Sequence, residues 1–143
     1  MKTIERLLEA KGHDIWSIAP TASVYEAIKL MADKNVGALL VLESGKLTGI
    51  ISERDCARRV ILNGRALKDT RVREIMTSDV IYVRPDQTVE ECMALVTAKR
   101  VRHLPVLAND QLIGIVSIGD LVKDVISEQE FMIQQLEHYI KGG

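Results

Sequence analysis

The chain has 143 residues, 47% of them apolar and 27% charged, with a formal net charge of −1. That length supports a real hydrophobic core, the near-neutral charge argues against a general binder of nucleic acid or of membrane surfaces, and no apolar run approaches the ~20 residues of a membrane span. Any anionic ligand must therefore be held by local geometry.

Residues 1–11 read as an amphipathic helix and lack the apolar core of a signal peptide. From residue 15 the chain says the same thing twice: residues 15–60 align without a gap onto residues 80–125, Pro20 meeting Pro85, Val24 meeting Val89, Glu26 meeting Glu91 and Asp55 meeting Asp120. Two copies do not make a solenoid; they predict a pseudo-twofold pair.

Each copy opens on a short strand, 15–18 or 80–83, that stops before a proline. A helix follows, announced by the capping boxes Ser23-x-x-Glu26 and Thr88-x-x-Glu91, with apolar residues at helical spacing: Val24, Ala27, Ile28 and Met31, then Val89, Cys92, Met93 and Val96. The runs 36–42 and 47–52, and again 101–107 and 112–117, predict hairpins. A second helix starts at once, over 53–62 and 118–126. The unit is β-α-β-β-α, an α/β (α+β) pattern with helical extensions at both ends. Residues 63–79 link the copies, with Gly64 as a left-handed helix cap and 72–76 as a short helical turn. The tail from 127 continues helically with Phe131, Leu136, Tyr139 and Ile140 as its apolar residues, the pattern of a docking or dimer helix. The expected organisation is an N-terminal helix (1–11), a first motif (12–64), a linker with the second motif (65–126) and a helical tail (127–143), within one compact domain.

The chemistry concentrates in Gly49-Ile-Ile-Ser52-Glu-Arg-Asp55 and Gly114-Ile-Val-Ser117-Ile-Gly-Asp120. Each places a serine where a strand becomes a helix and an aspartate in the first helical turn. One reading is a further capping box. Against it, the other helix starts use the longer Glu, which reaches back better. The second reading is a nucleotide grip: free N–H groups and a positive dipole end for phosphate, and a carboxylate that accepts from the vicinal hydroxyls of a ribose.

The doubled pattern, Pro-x-x-(Ser/Thr)-Val, an apolar strand, then Gly-x-x-Ser-x-x-Asp, resembles a tandem cystathionine-β-synthase-type (CBS) domain pair, a Bateman module, over about residues 12–126. The resemblance implies two motifs packed about a pseudo-twofold axis and a non-catalytic regulatory sensor that binds AMP, another adenine nucleotide or NAD(H) in clefts between the repeats, with no metal required. It places Asp55 and Asp120 on ribose and Ser52 and Ser117 on phosphate or sugar. It groups Asp55 with Thr77, Ile81, Tyr82, Arg102, His103 and Pro105, and Asp120 with His13, Trp16, Gly37, Ala38 and Leu40.

The copies differ where Gly37-Ala38-Leu39-Leu40 is replaced by Arg102-His103-Leu104-Pro105. A charged pair opening an apolar strand needs satisfied charges. Arg102 and His103 either snorkel and pack or meet phosphate, and the asymmetry suits one dinucleotide or two different mononucleotides. Arg54 either reaches a phosphate or pairs at the surface. Trp16 is either core or an adenine platform. Cys56 and Cys92 read as small core residues; without a disulfide framework a cytoplasmic setting is expected. The three histidines lack zinc-ligand spacing with them, and no P-loop, dinucleotide-loop or nucleophile constellation appears. The expected protein is a homodimer acting on a downstream partner not visible in the sequence. Two rivals stand beside this reading: a structural dimerisation unit with vestigial clefts, and, more distantly, a nucleotide-hydrolysing enzyme.

Overall fold

A computed structural model describes residues 2–141. Met1, expected as the start of the N-terminal helix, and the two final glycines of the tail lie outside the described residues. The fold is α+β, and the chain forms two compact units, one of Asp14–Ile81 and one joining the segment up to His13 to the chain from Tyr82 onward.

In the first unit β1 (Ser17–Ile18) runs parallel to β2 (Ala38–Glu43), which pairs antiparallel with β3 (Lys46–Ser52). Between β2 and β3 lie Ser44 and Gly45 with φ of 52° and 77°, the left-handed pair that a two-residue hairpin turn requires so that its twist matches that of the strands. Helix α2 (Val24–Lys34) starts at Ser23, whose Oγ accepts the Glu26 N–H at 3.1 Å. Only this half of the expected Ser23–Glu26 box forms. Val24, Ala27 and Met31 lie one helical turn apart and are buried with Leu39, Val41 and Ile51 from the strands, and with Cys56 and Val60.

The expected helix over 53–62 divides into α3 (Glu53–Cys56) and a π-helical turn (Ala57–Ile61), closed by the Leu62 N–H donating to the Ala57 carbonyl at 3.0 Å. Gly64 takes its left-handed φ of 69°. The linker then crosses back: Val24 N–H donates to Thr70 O (2.8 Å) and Val72 N–H to Ala22 O (2.9 Å) at the start of α4 (Val72–Ile75). Thr77 and Ile50 exchange backbone bonds of 2.9 and 3.0 Å. This crossing requires a glycine at 49, where a Cβ would stand 2.6 Å from Met76 Sδ and 3.0 Å from the Thr77 carbonyl oxygen.

The second unit repeats the plan with α5 (Val89–Lys99), the hairpin β4 (His103–Ala108) and β5 (Gln111–Ser117), and α6 (Ile118–Ile140). Its turn residues Asn109 and Asp110 again have positive φ, 50° and 63°. The strand expected over 80–83 is reduced to one bridge, Val83 with Val106. The reason is local. In the first unit the Leu40 N–H donates to the Trp16 carbonyl at 3.1 Å; the equivalent position is Pro105, which has no N–H to give. The helix expected over 118–126 and the tail are one continuous helix.

The segment α1 (Ile4–Lys11) belongs to this unit and plays the part that α4 plays in the first. Val89 N–H donates to Lys2 O (3.0 Å), Ile4 N–H to Gln87 O (2.8 Å) and Glu5 N–H to Pro85 O (3.0 Å), matching the bonds that Thr70, Val72 and Arg73 make with Val24, Ala22 and Pro20. Lys2 adds an ion pair of 2.7 Å to the buried Asp124 of α6. Leu8 packs against Gly114 as Met76 packs against Gly49.

Candidate functional site

Each Ser-x-x-Asp motif sits where a strand ends and a helix begins, and both form complete capping boxes. Ser52 Oγ accepts the Asp55 N–H at 3.1 Å, and Asp55 Oδ2 accepts the Ser52 N–H at 3.1 Å. Ser117 Oγ accepts the Asp120 N–H at 3.1 Å, and Asp120 Oδ2 accepts the Ser117 N–H at 2.8 Å. The shorter aspartate, weighed against a capping role in the sequence, closes the box in both units. The extended backbone of Ser52 and Ser117, ψ 164° in both, turns the N-cap N–H toward the first helical turn, within reach of the shorter side chain.

The boxes consume most of what the helix starts offer. The N1 amides are also taken, Glu53 N–H by the Gly37 carbonyl (3.0 Å) and Ile118 N–H by the Arg102 carbonyl (2.9 Å). The expected cluster of free donors thus reduces to the amides of Arg54 and Gly119, which have no protein partner among the described residues. The Oδ1 atoms of Asp55 and Asp120 are likewise uncommitted. Both carboxylates are half-buried.

The second oxygens differ. Asp55 Oδ2 also accepts the Ser52 hydroxyl at 3.0 Å. Asp120 Oδ2 instead accepts Lys11 Nζ at 2.6 Å, and the same ammonium donates to the Ile115 carbonyl. Burial alone would raise the Asp120 carboxyl, but the Lys11 ammonium and the Ser117 donors outweigh it and hold it below the usual aspartate range. His103 pairs across the hairpin with Ser117. Burial lowers its imidazole, the Lys11 and Arg102 cations lower it further, and Asp120 opposes them. Lys11 was not among the residues singled out from the sequence. The signal lies in the correspondence of Thr3-Ile4-x-x-Leu7-Leu8 with Arg71-Val72-x-x-Ile75-Met76, hidden because its spacing differs from that of the main repeat.

Other candidates take these places. Arg54 and Arg102 are exposed, as is His13, whose Nδ1 lies 2.8 Å from the Ile113 carbonyl in the second unit. Trp16 is 37% exposed, with Lys34 Nζ 4.4 Å from its ring centroid. Thr77 lies along β3 through its bonds to Ile50, Gly37 is half-buried, and Ala38, Leu40 and Pro105 are buried. Ile81 is half-buried and Tyr82 exposed. Cys56 and Cys92 are buried free thiols, both pushed up to about 11, chiefly by burial, which suits packing and not nucleophilic chemistry. Among the described residues no group of His, Cys, Asp and Glu could hold a metal ion, and no helix is long and apolar enough to cross a membrane.

The family model for the CBS domain matches residues 11–62 and again residues 72–127. The chain belongs to the CBS domain family. It is 41% identical to the mitochondrial CBS domain-containing protein CBSX3 of Arabidopsis thaliana, over 99% of this chain and 73% of that one. It is 34% identical to the CBS domain-containing protein YhcV of Bacillus subtilis, over 79% and 80% of the two chains. Among solved structures it is similar to a CBS-domain protein of Burkholderia ambifaria, with 52% identity, a TM-score of 0.87 and coverage of 90% of this chain and 96% of that one. The CBS pair of protein MJ0100, crystallised with 5′-methylthioadenosine and S-adenosyl-L-methionine, shares the fold at a TM-score of 0.79 and 23% identity, covering 90% of this chain and 98% of that one. CBS pairs are regulatory modules, and this chain is a tandem CBS pair whose first unit is β-α-β-β-α and whose second keeps the α-β-β-α part with one bridge in place of the first strand.

Proposed function

We propose that this CBS pair is a non-catalytic sensor that binds an adenosine compound, AMP, ATP or NAD(H), at its Ser-x-x-Asp junctions. The observation that carries the reading is the uncommitted Oδ1 of a half-buried aspartate beside an unpartnered helix-start amide, Asp55 with Arg54 N–H and Asp120 with Gly119 N–H. A carboxylate oxygen accepts a ribose hydroxyl, and the amide donates to a sugar or phosphate oxygen. The adenosine ligands of the MJ0100 pair are of the class proposed.

Binding to the native state alone stabilises it by RT ln(1 + [L]/Kd), about 2.7 kcal/mol at a hundredfold excess over Kd. Millimolar AMP or NAD should therefore raise the melting temperature of nucleotide-free protein, and Asp55→Ala should diminish the rise. No shift with AMP, ATP or NAD defeats the reading.

The closed capping boxes favour one rival, a dimerisation unit whose Ser-x-x-Asp junctions only cap helices. Asp55→Glu separates the two: a cap tolerates the longer side chain, whereas a ribose grip loses ligand. The sensor is further proposed to work as a homodimer through α6. Ile126, Ile133 and Ile140 recur every seven residues beside Val122 and Leu136, all exposed, the seam of a helix that packs on a copy of itself. Ile133→Glu should shift sedimentation toward the monomer.

A further inference from the structure

The two Ser-x-x-Asp junctions are alike in backbone and unlike in occupancy, and the cause is a single side chain. Helix α1 is fixed on its unit by the backbone bonds of Ile4 and Glu5 and by the full burial of Ile4 and Leu8. It ends at Gly12, φ 106°, and beyond it the His13 ring lies against the Ile113 carbonyl. Lys11 is therefore held between two anchors. Its ammonium reaches Asp120 Oδ2 at 2.6 Å and the Ile115 carbonyl on β5. In the first unit the corresponding helix, α4, stops after one turn, and the carbonyl of Ile50, the counterpart of Ile115, receives the Thr77 amide. Asp55 has no ion pair among the described residues.

We propose that Lys11 is a built-in competitor for the second grip. Its ammonium holds Oδ2 of the Asp120 carboxylate and draws charge away from Oδ1, the oxygen a ligand hydroxyl would engage, so that ligand fills Asp55 first and Asp120 more weakly. This rests on the proposed function and deepens it by making the two junctions unequal. The competition is modest, because both side chains of the pair keep part of their surface in water, 31% for Lys11 and 26% for Asp120, and such pairs are weak. Lys11 thus sets the order of filling and leaves the second grip usable at high ligand concentration.

The test isolates the second grip in an Asp55→Ala background and measures AMP and ATP binding by titration calorimetry. Adding Lys11→Met, which keeps the side-chain length and removes the charge, should tighten binding roughly two- to fivefold, the range a half-exposed ion pair is worth. Lys11→Arg, which keeps a cation in reach of Asp120, should leave Kd as it was. Lys11→Gln serves as a second neutral variant should Lys11→Met fail to fold by circular dichroism. An unchanged Kd with the neutral variants overturns the proposal, as does weaker binding, which would make Lys11 a direct ligand contact. Binding by the wild type but by none of the Asp55→Ala proteins also overturns it. Failure of the wild type itself to bind either nucleotide removes the proposed function, and this inference with it.

Discussion

In the first repeat the segment that crosses the back of the hairpin is a one-turn helix followed by an extended residue, Thr77, whose backbone completes the edge of β3. In the second repeat the same crossing is made by a helix of eight residues from the chain's beginning, and the edge of β5 is met by the side chains of Lys11 and His13. Backbone satisfies one edge and side chains the other. The consequence reaches the functional junction. An extended chain puts no cation beside Asp55, whereas a second helical turn delivers Lys11 to Asp120. Near-identical motifs therefore acquire different electrostatic surroundings from elements far away in sequence.

The largest expected effect tests the crossings themselves. Gly49→Ala would press a Cβ against the Thr77 carbonyl, which is bonded in place, while Gly114→Ala meets only the methyl ends of Leu8, at 2.9 and 3.0 Å. Thermal denaturation should show Gly49→Ala costing about 2–3 kcal/mol and Gly114→Ala about 1 kcal/mol or less; equal costs would break the distinction between a backbone crossing and a side-chain one.

The capping boxes come next. Ser52→Ala and Ser117→Ala should each lose about 1 kcal/mol in urea unfolding. The loss should be greater at Ser52, whose hydroxyl also donates to Asp55, whereas Lys11 fills that position at Asp120.

A smaller effect reads the Lys11 pair through pH. The fold lowers the Asp120 pKa, so the pair contributes stability that is fully present above the unfolded value near 3.8 and is lost as pH falls through the lower native value. The wild type should exceed Lys11→Met by about 0.5 kcal/mol at pH 6, and melting curves of the two should converge toward pH 2.

The smallest concerns the hairpin turns. The favoured two-residue turn is Asn-Gly. The first repeat has Ser44-Gly45 and the second Asn109-Asp110, each with one of the two. Ser44→Asn and Asp110→Gly should each raise the free energy of unfolding by about 0.3 kcal/mol, and a loss in either would show that the turn is held by contacts beyond its own backbone.

Much of this was legible because it is local. The paired hairpins, the helical spacing that buries Val24 and Met31 or Val89 and Val96, the Thr88–Glu91 box and the Gly64 cap depend on neighbours within a few residues. Buried cysteines at helical core positions are of the same kind. Closure of the Asp55 and Asp120 boxes depends on the backbone angle of the N-cap serine as well as on side-chain length, and residue type alone does not carry that angle. The strand expected over 80–83 does not form because Pro105, which denies it a hydrogen bond, lies more than twenty residues downstream, beyond the reach of local pattern.

What the sequence determined by itself is the doubled α-β-β-α plan and the placing of a serine and an aspartate at each strand–helix junction, since periodicity, turn chemistry and capping act over one or two helical turns. Only the tertiary structure decided that the N-terminal helix is the second repeat's counterpart of the linker, and that its lysine neutralises one aspartate while leaving the other open. Those outcomes depend on which distant carbonyl receives which amide and on how far a helix runs before it ends. Neither is written in the residues around Asp55 or Asp120.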